Sequence, residues 1–128
     1  MAIYADIIEI VTPGQALAGS RVDITVRVKN TYSGAVGIMV GGSQEYGITP
    51  WPGIDFPENW ANFDGGAVHS FNGSFLMPDR RVTIHAYSYW YGADGSWYLD
   101  DEMTKTVELQ AAPQPSVSDF RIVDYIKV

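Results

Sequence analysis

Period-two alternation of apolar and polar residues recurs along the chain, and it is clearest between Phe71 and Tyr91. Phe71, Gly73, Phe75 and Met77 share one face of an extended segment, with Asn72 and Ser74 on the other. Met77-Pro78-Asp79-Arg80 reads as a tight turn, because Pro pre-sets φ at the second turn position and Asp accepts local backbone hydrogen bonds. Beyond it, Val82, Ile84, Ala86, Ser88 and Trp90 face one way, and Thr83, His85, Tyr87, Tyr89 and Tyr91 the other. The pattern predicts a strand, a corner and a second strand.

The same reading extends outward from this pair. Ile3 to Val11 predicts a first strand. Arg21 to Lys29 alternates most cleanly, with Val22, Ile24, Val26 and Val28 against charged and polar partners, as in a sheet with one buried and one wet face. Val36, Ile38 and Val40 predict the next strand, ended or bulged at Gly41-Gly42. Residues 42–66 hold Pro50, Pro52 and Pro57 and predict a long loop with a short strand near Gln44–Ile48. Loops of this length are functional or are packed by their own side chains. Asp94-Gly95 predicts a hairpin turn. Trp97–Leu99 and Met103–Leu109 then predict a last strand, broken by Asp100-Asp101-Glu102.

No apolar stripe recurs at helical spacing. The expectation is an all-β antiparallel sandwich of about seven strands over residues 1–111. Val22, Ile24, Val26, Val28, Val36, Ile38, Phe71, Phe75, Val82, Ile84 and Ala86 are its expected core, and Trp90 is read as filling that core too. Residues 112–119 are small, polar and proline-containing and read as a linker. Residues 120–128 are strand-like again, with Phe120, Ile122, Ile126 and Val128 on one face and Tyr125 beside them. A lone strand must add to some sheet edge, so these five are candidate interface residues. Pairing on a neighbouring copy by strand addition is the expected arrangement.

Composition narrows the classes. The chain has 128 residues, 46% hydrophobic and 13% aromatic, enough for one folded domain with a real core. Its net charge of −7 argues against nucleic acid and anionic membrane surfaces, and no run approaches the ~20 apolar residues of a membrane span. The start, MAIYADIIEIV, has no basic residue and is interrupted by Asp6 and Glu9, so a signal peptide is not expected. No cysteine is present, which removes disulfides, thiolate metal sites and a Cys nucleophile.

Gly19 before the alternating strand 21–29, Asn30 closing it, and the Phe71–Tyr91 strand and corner resemble bacterial and archaeal Ig-like sandwich modules, with CARDB and PKD-like repeats as the nearest type. The resemblance covers about residues 3–110. It implies an Ig-like sandwich with a structural or binding role, and it supplies no catalytic residues. The aromatic segment 42–66 and the terminal strand depart from it.

Candidate chemistry is sparse. His69 and His85 lie on different strands at no ligand spacing, and no nucleophile, P-loop or dinucleotide motif occurs. Asp94, Asp100 and Asp101, with Glu102, surround a glycine turn and are candidate Ca²⁺ ligands, set against a solvated acidic loop. No cofactor is implied. Trp51, Trp60, Tyr46 and Trp97 are candidate ligand-binding residues, because exposed flat rings beside carboxylates stack on sugars or anchor protein interfaces. Asn72-Gly73-Ser74 matches a glycosylation sequon and reads as chance.

Three functions are weighed. The first is a non-enzymatic structural or assembly protein, such as a virion surface or decoration protein or a filament subunit, whose partners are copies of itself or a larger assembly. The second is a carbohydrate-binding module using the 42–66 loop. The third is a hydrolase using Asp94 and Asp101, which would need two carboxylates ~5–10 Å apart. A virion or extracellular assembly is the setting the first reading implies.

Overall fold

The computed structural model describes residues 2–112. Residues 113–128, with the expected interface residues Phe120, Ile122, Tyr125, Ile126 and Val128, lie outside the described residues. Eight strands form: β1 (Ala5–Val11), β2 (Gln15–Leu17), β3 (Arg21–Asn30), β4 (Val36–Glu45), β5 (Trp60–Phe63), β6 (Val68–Leu76), β7 (Val82–Tyr91) and β8 (Trp97–Gln110). They make two facing sheets, one in the order β1-β3-β6 and the other β2-β8-β7-β4-β5. Every pairing is antiparallel except β2 with β8. The described residues hold no helix, and the fold is an Ig-like β-sandwich.

The alternating strands fold as their periodicity dictates. β6 turns Phe71, Gly73 and Phe75 inward, and β7 turns Val82, Ile84, Ala86 and Ser88 inward. These two strands belong to different sheets, so the corner at 77–81 carries the chain from one layer to the other. It is fastened by backbone bonds from Gly19 N–H to the Met77 carbonyl and from Met77 N–H to the Ser20 carbonyl, both 2.8 Å. Of the expected core residues, ten are buried and Val36 is half-buried against them.

Four details differ from the sequence reading. The strand count is eight because β2 and β5, three and four residues long, are too short to show a period. β4 neither ends nor bulges at Gly41-Gly42; both glycines stay in register with Tyr87 and Ala86. β8 runs unbroken for 14 residues, taking up the extra residue Asp100 as a bulge opposite Ser88/Tyr89. The buried row of β7 ends at Ser88, and Trp90 is only half-buried, edge-on to Tyr4 at 4.8 Å and stacked on Tyr98 at 4.9 Å.

The 42–66 segment is packed by its own side chains, but not by its tryptophans. Ile54 enters the core at 8% exposure. The Phe56 ring lies against Gly73, where a Cβ would come within 2.7 Å of it, so only glycine admits this ring. Asp55 pairs with Ser74 of β6 while Gly53 pairs with Ser43 of β4, so the segment bridges the two sheets.

Candidate binding face

Strand side chains alternate between faces, so what β7 withholds from the core it shows to solvent. His85, Tyr87, Tyr89 and Tyr91 therefore form a column down the outer face of the five-stranded sheet. Register places Glu45, Ser43, Gly41 and Met39 of β4 on one side of this column, and Thr104, Glu102, Leu99 and Trp97 of β8 on the other. Trp60 and Asn62 of edge strand β5 follow beyond Met39 and Gly37. None of these outward side chains is Lys or Arg.

One end of the face holds a cleft of about 390 Å³ lined by Gly37, Trp60, Asn62, Tyr91 and Trp97. Trp60 is 56% exposed and Tyr91 50%, high values for large rings in a folded domain. Tyr91 and Trp97 meet edge to face at 4.9 Å, which fixes their relative orientation. Gly37 is the floor: a Cβ there would stand 3.3 Å from Tyr91 Cβ and 3.6 Å from Asn62 Oδ1, filling the cleft from below. Three rings and one carboxamide thus surround an open slot.

The other end is built on a histidine held between two carboxylates. His85 Nδ1 lies 2.8 Å from Glu102 Oε2, and Nε2 lies 2.8 Å from Glu45 Oε1. A neutral imidazole has one N–H, so two such contacts with carboxylates favour the imidazolium, with both nitrogens donating. Burial opposes that charge, but the hydrogen bonds to Glu102 and Glu45 outweigh it and hold the His85 pKa above its ordinary 6.5. The Trp51 ring lies over this cation at 4.5 Å and 24°, a stack that adds cation–π attraction to ring contact. Next along the column, the Tyr87 hydroxyl is 3.3 Å from Ser43 Oγ.

The four candidate ligand residues thus separate. Trp60 and Trp97 meet in the cleft, Trp51 stands at the far end, and Tyr46 is half-buried against the core. Sequence reasoning missed Asn62 and Gly37, and it missed the Glu45–His85–Glu102 clamp. Asn62 sits on a strand too short to recognise, and the clamp joins three strands whose register no local pattern gives.

The acidic candidates do other work. Asp100 accepts the backbone N–H groups of Ile3, Tyr4 and Ala5 at 2.7, 2.8 and 2.7 Å. Asp101 accepts that of Ile7 at 2.9 Å, Ser88 Oγ donates to the Ala5 carbonyl at 2.6 Å, and Lys105 Nζ donates to the Ile10 carbonyl at 3.1 Å. This row of side chains stitches the free edge of β1 to β7 and β8. Burial and the charge of Asp101 beside it raise the pKa of Asp6. Asp94 accepts from the Tyr98 hydroxyl and the Ser96 N–H, which hold its carboxyl below the usual carboxylate range. Among the described residues no group of three or more His, Asp or Glu is placed to hold a metal ion. His69 lies instead against Phe63 at 4.4 Å, and Asn72 Oδ1 accepts from Thr25 Oγ1.

No protein-family profile and no curated protein sequence matches the chain. Solved structures do match in fold. The alkylpurine DNA glycosylase AlkC of Pseudomonas fluorescens is 13% identical with a TM-score of 0.60 over 84% of this chain, which spans only 31% of that longer one. A PapD-like domain of human CEP192 is 8% identical with a TM-score of 0.58, covering 88% of this chain and 89% of that one. A CARDB domain from Pyrococcus furiosus, solved in complex with di-metal ions, is 13% identical with a TM-score of 0.59, covering 86% and 92%. At these identities the likeness is one of fold: the chain is an Ig-like β-sandwich resembling CARDB and PapD-like domains.

Proposed function

We propose that the protein is a non-enzymatic binding module that holds neutral sugar rings in the Trp60–Tyr91–Trp97 cleft. One observation carries the reading: three exposed rings and the Asn62 carboxamide stand around an open slot floored by Gly37. A pyranose has apolar C–H faces that stack on flat rings and hydroxyls that bond an amide, so this donor set matches it group for group. With no Lys or Arg turned onto the face and a net charge of −7, sulfated or uronic-acid glycans are disfavoured. The non-enzymatic part is supported by how the acids are spent: Asp100, Asp101, Glu45 and Glu102 all hold structural partners.

Titration with neutral oligosaccharides, monitored by calorimetry and tryptophan fluorescence, tests the reading. Trp60→Ala is expected to abolish binding while the melting temperature stays within a few degrees, since the ring is more than half exposed. A panel of neutral glycans that all fail to bind refutes it, as does unfolding of the Trp60 variant without loss of affinity per folded molecule.

A second reading, assembly through the strand-like segment 120–128, is supported by an uncovered edge. Among the described residues β6 pairs beyond β3 only where Asp55 meets Ser74, leaving Val68–Asn72 open to an added strand. A chain ending at Ala112 is then a folded monomer while the full chain associates, as read by sedimentation velocity. Equal association of both, or a monomeric full chain, ends this reading.

A further inference from the structure

We infer that the ligand is an extended neutral glycan chain lying along β7, with Trp51 as a second stacking platform, rather than a single terminal sugar seated in the cleft. The inference rests on the cleft being a sugar site. It starts from the two aromatic stations on one sheet face. Tyr91 marks the cleft and His85, under Trp51, marks the opposite end of the same column. Six residues of strand separate them, about 20 Å at ~3.3 Å per residue. One sugar ring cannot touch both.

The path between the stations is low and of one chemistry. Tyr87 and Tyr89 turn outward between them and are half-buried, so their rings form floor rather than wall. Gly41 stands opposite Tyr87 on β4 with no side chain to block passage; a Cβ there would meet only the Tyr89 ring, at 3.8 Å. Hydroxyls of Ser43 and Tyr87 line the step beside His85. Rings, hydroxyls and carboxylates alternate down the column, with the imidazolium the sole cation and itself masked by two carboxylates and an indole.

Trp51 has the form of a platform rather than a core residue. It is 38% exposed while one ring face stacks on His85. Its support is rigid, because His85 is held from both sides by charge-assisted bonds of 2.8 Å. A ring fixed before binding costs little entropy on binding. A chain that reaches both stations gains the second contact intramolecularly, so affinity rises with length until Trp51 is reached and then levels.

The experiment is a calorimetric series with cello-, manno- and chito-oligosaccharides of two to eight units on the full chain, Trp51→Ala, Trp51→Phe and Trp60→Ala. The expected result is an affinity at least tenfold higher for the hexamer than for the dimer. Trp51→Ala should remove that gain and leave the dimer unchanged, Trp51→Phe should restore most of it, and Trp60→Ala should weaken every length. Equal affinity for dimer and hexamer, or a hexamer indifferent to Trp51→Ala, overturns the extended-chain inference while leaving the cleft reading intact. If no member of any series binds, the cleft reading falls and this one with it.

Discussion

Replacing Asp100 by Ala should cost far more stability than an ordinary surface acid, and the reason lies in three backbone donors. The carboxylate accepts N–H groups of Ile3, Tyr4 and Ala5 at 2.7–2.8 Å. The Ile3 bond is exposed, so water replaces it at little cost. The Tyr4 and Ala5 bonds are part-buried, and each orphaned donor there costs about 1–3 kcal/mol. Asp6 gives a little back, because Asp100 is one of the charges that raise its pKa. The net is a loss of about 2–4 kcal/mol, since a partly hydrated site sits at the lower half of that range. For a domain of this size that is a fall in melting temperature of roughly 8–16 °C, at ~4 °C per kcal/mol. Asp100→Asn keeps one acceptor oxygen and should fall between. Urea denaturation followed by tryptophan fluorescence measures both, with the slope unchanged. A loss below about 0.5 kcal/mol for the Ala variant would show that the seam is decorative and that β1 is held by the core alone.

The His85 clamp gives stability a pH dependence of definite sign. Its folded pKa is raised, so its contribution is full below pH 6.5 and fades as pH rises through the folded value. The melting temperature of the wild type should therefore drop as pH rises above 6.5, a slope that His85→Gln removes; an equal slope in both proteins contradicts the clamp. Phe75→Ala should cost roughly 3–5 kcal/mol, because a ring 7% exposed is lost from a close-packed core and leaves a cavity. Equilibrium unfolding that shows less than about 1 kcal/mol would mean the two sheets close over the gap.

Much of the fold was legible because its signal is local. Val22, Ile24, Val26 and Val28 alternate without a break, and a strand buried on one face can hardly hide that period. Trp90 shows where such reading stops. By parity it belongs to the inward row of β7, but parity gives direction and not depth. The row is buried only as far as Ser88, and Trp90 stands past it, half-buried against Tyr4 and Tyr98. The arrangement of the binding candidates was hidden for a related reason. Trp51 and Trp60 share a segment in sequence, yet Trp51 folds over His85 of β7 while Trp60 is fixed by its partner Met39. Only register brings Trp60 to Tyr91 and Trp97, and register is a long-range property. The acidic run 100–102 reads as a solvated loop or as Ca²⁺ ligands, and its place in the fold is legible in neither. A cluster of carboxylates beside a turn suggests a cation, but backbone N–H groups of a strand edge are the partners these acids found.

The division of labour between the two faces of the five-stranded sheet gives the functional reading its force. The inner face and the Asp100–Ser88–Lys105 seam account for what holds the sandwich closed: the core is continuous across both sheets, and the free edge of β1 is satisfied by side chains. Nothing in that account needs Trp60 or Tyr91. Each leaves half or more of its surface in water on the outer face, where Thr would also suit a strand and Lys would resist aggregation better. Exposed rings gathered around a glycine floor are therefore unexplained by folding, whereas Phe75 or Ile84, equally apolar, are fully explained by it. A net charge of −7 keeps such a face from self-association without placing a cation on it. Residues that the core and the seam do not use, oriented by one another and left open to solvent, are the ones that the proposed glycan would cover.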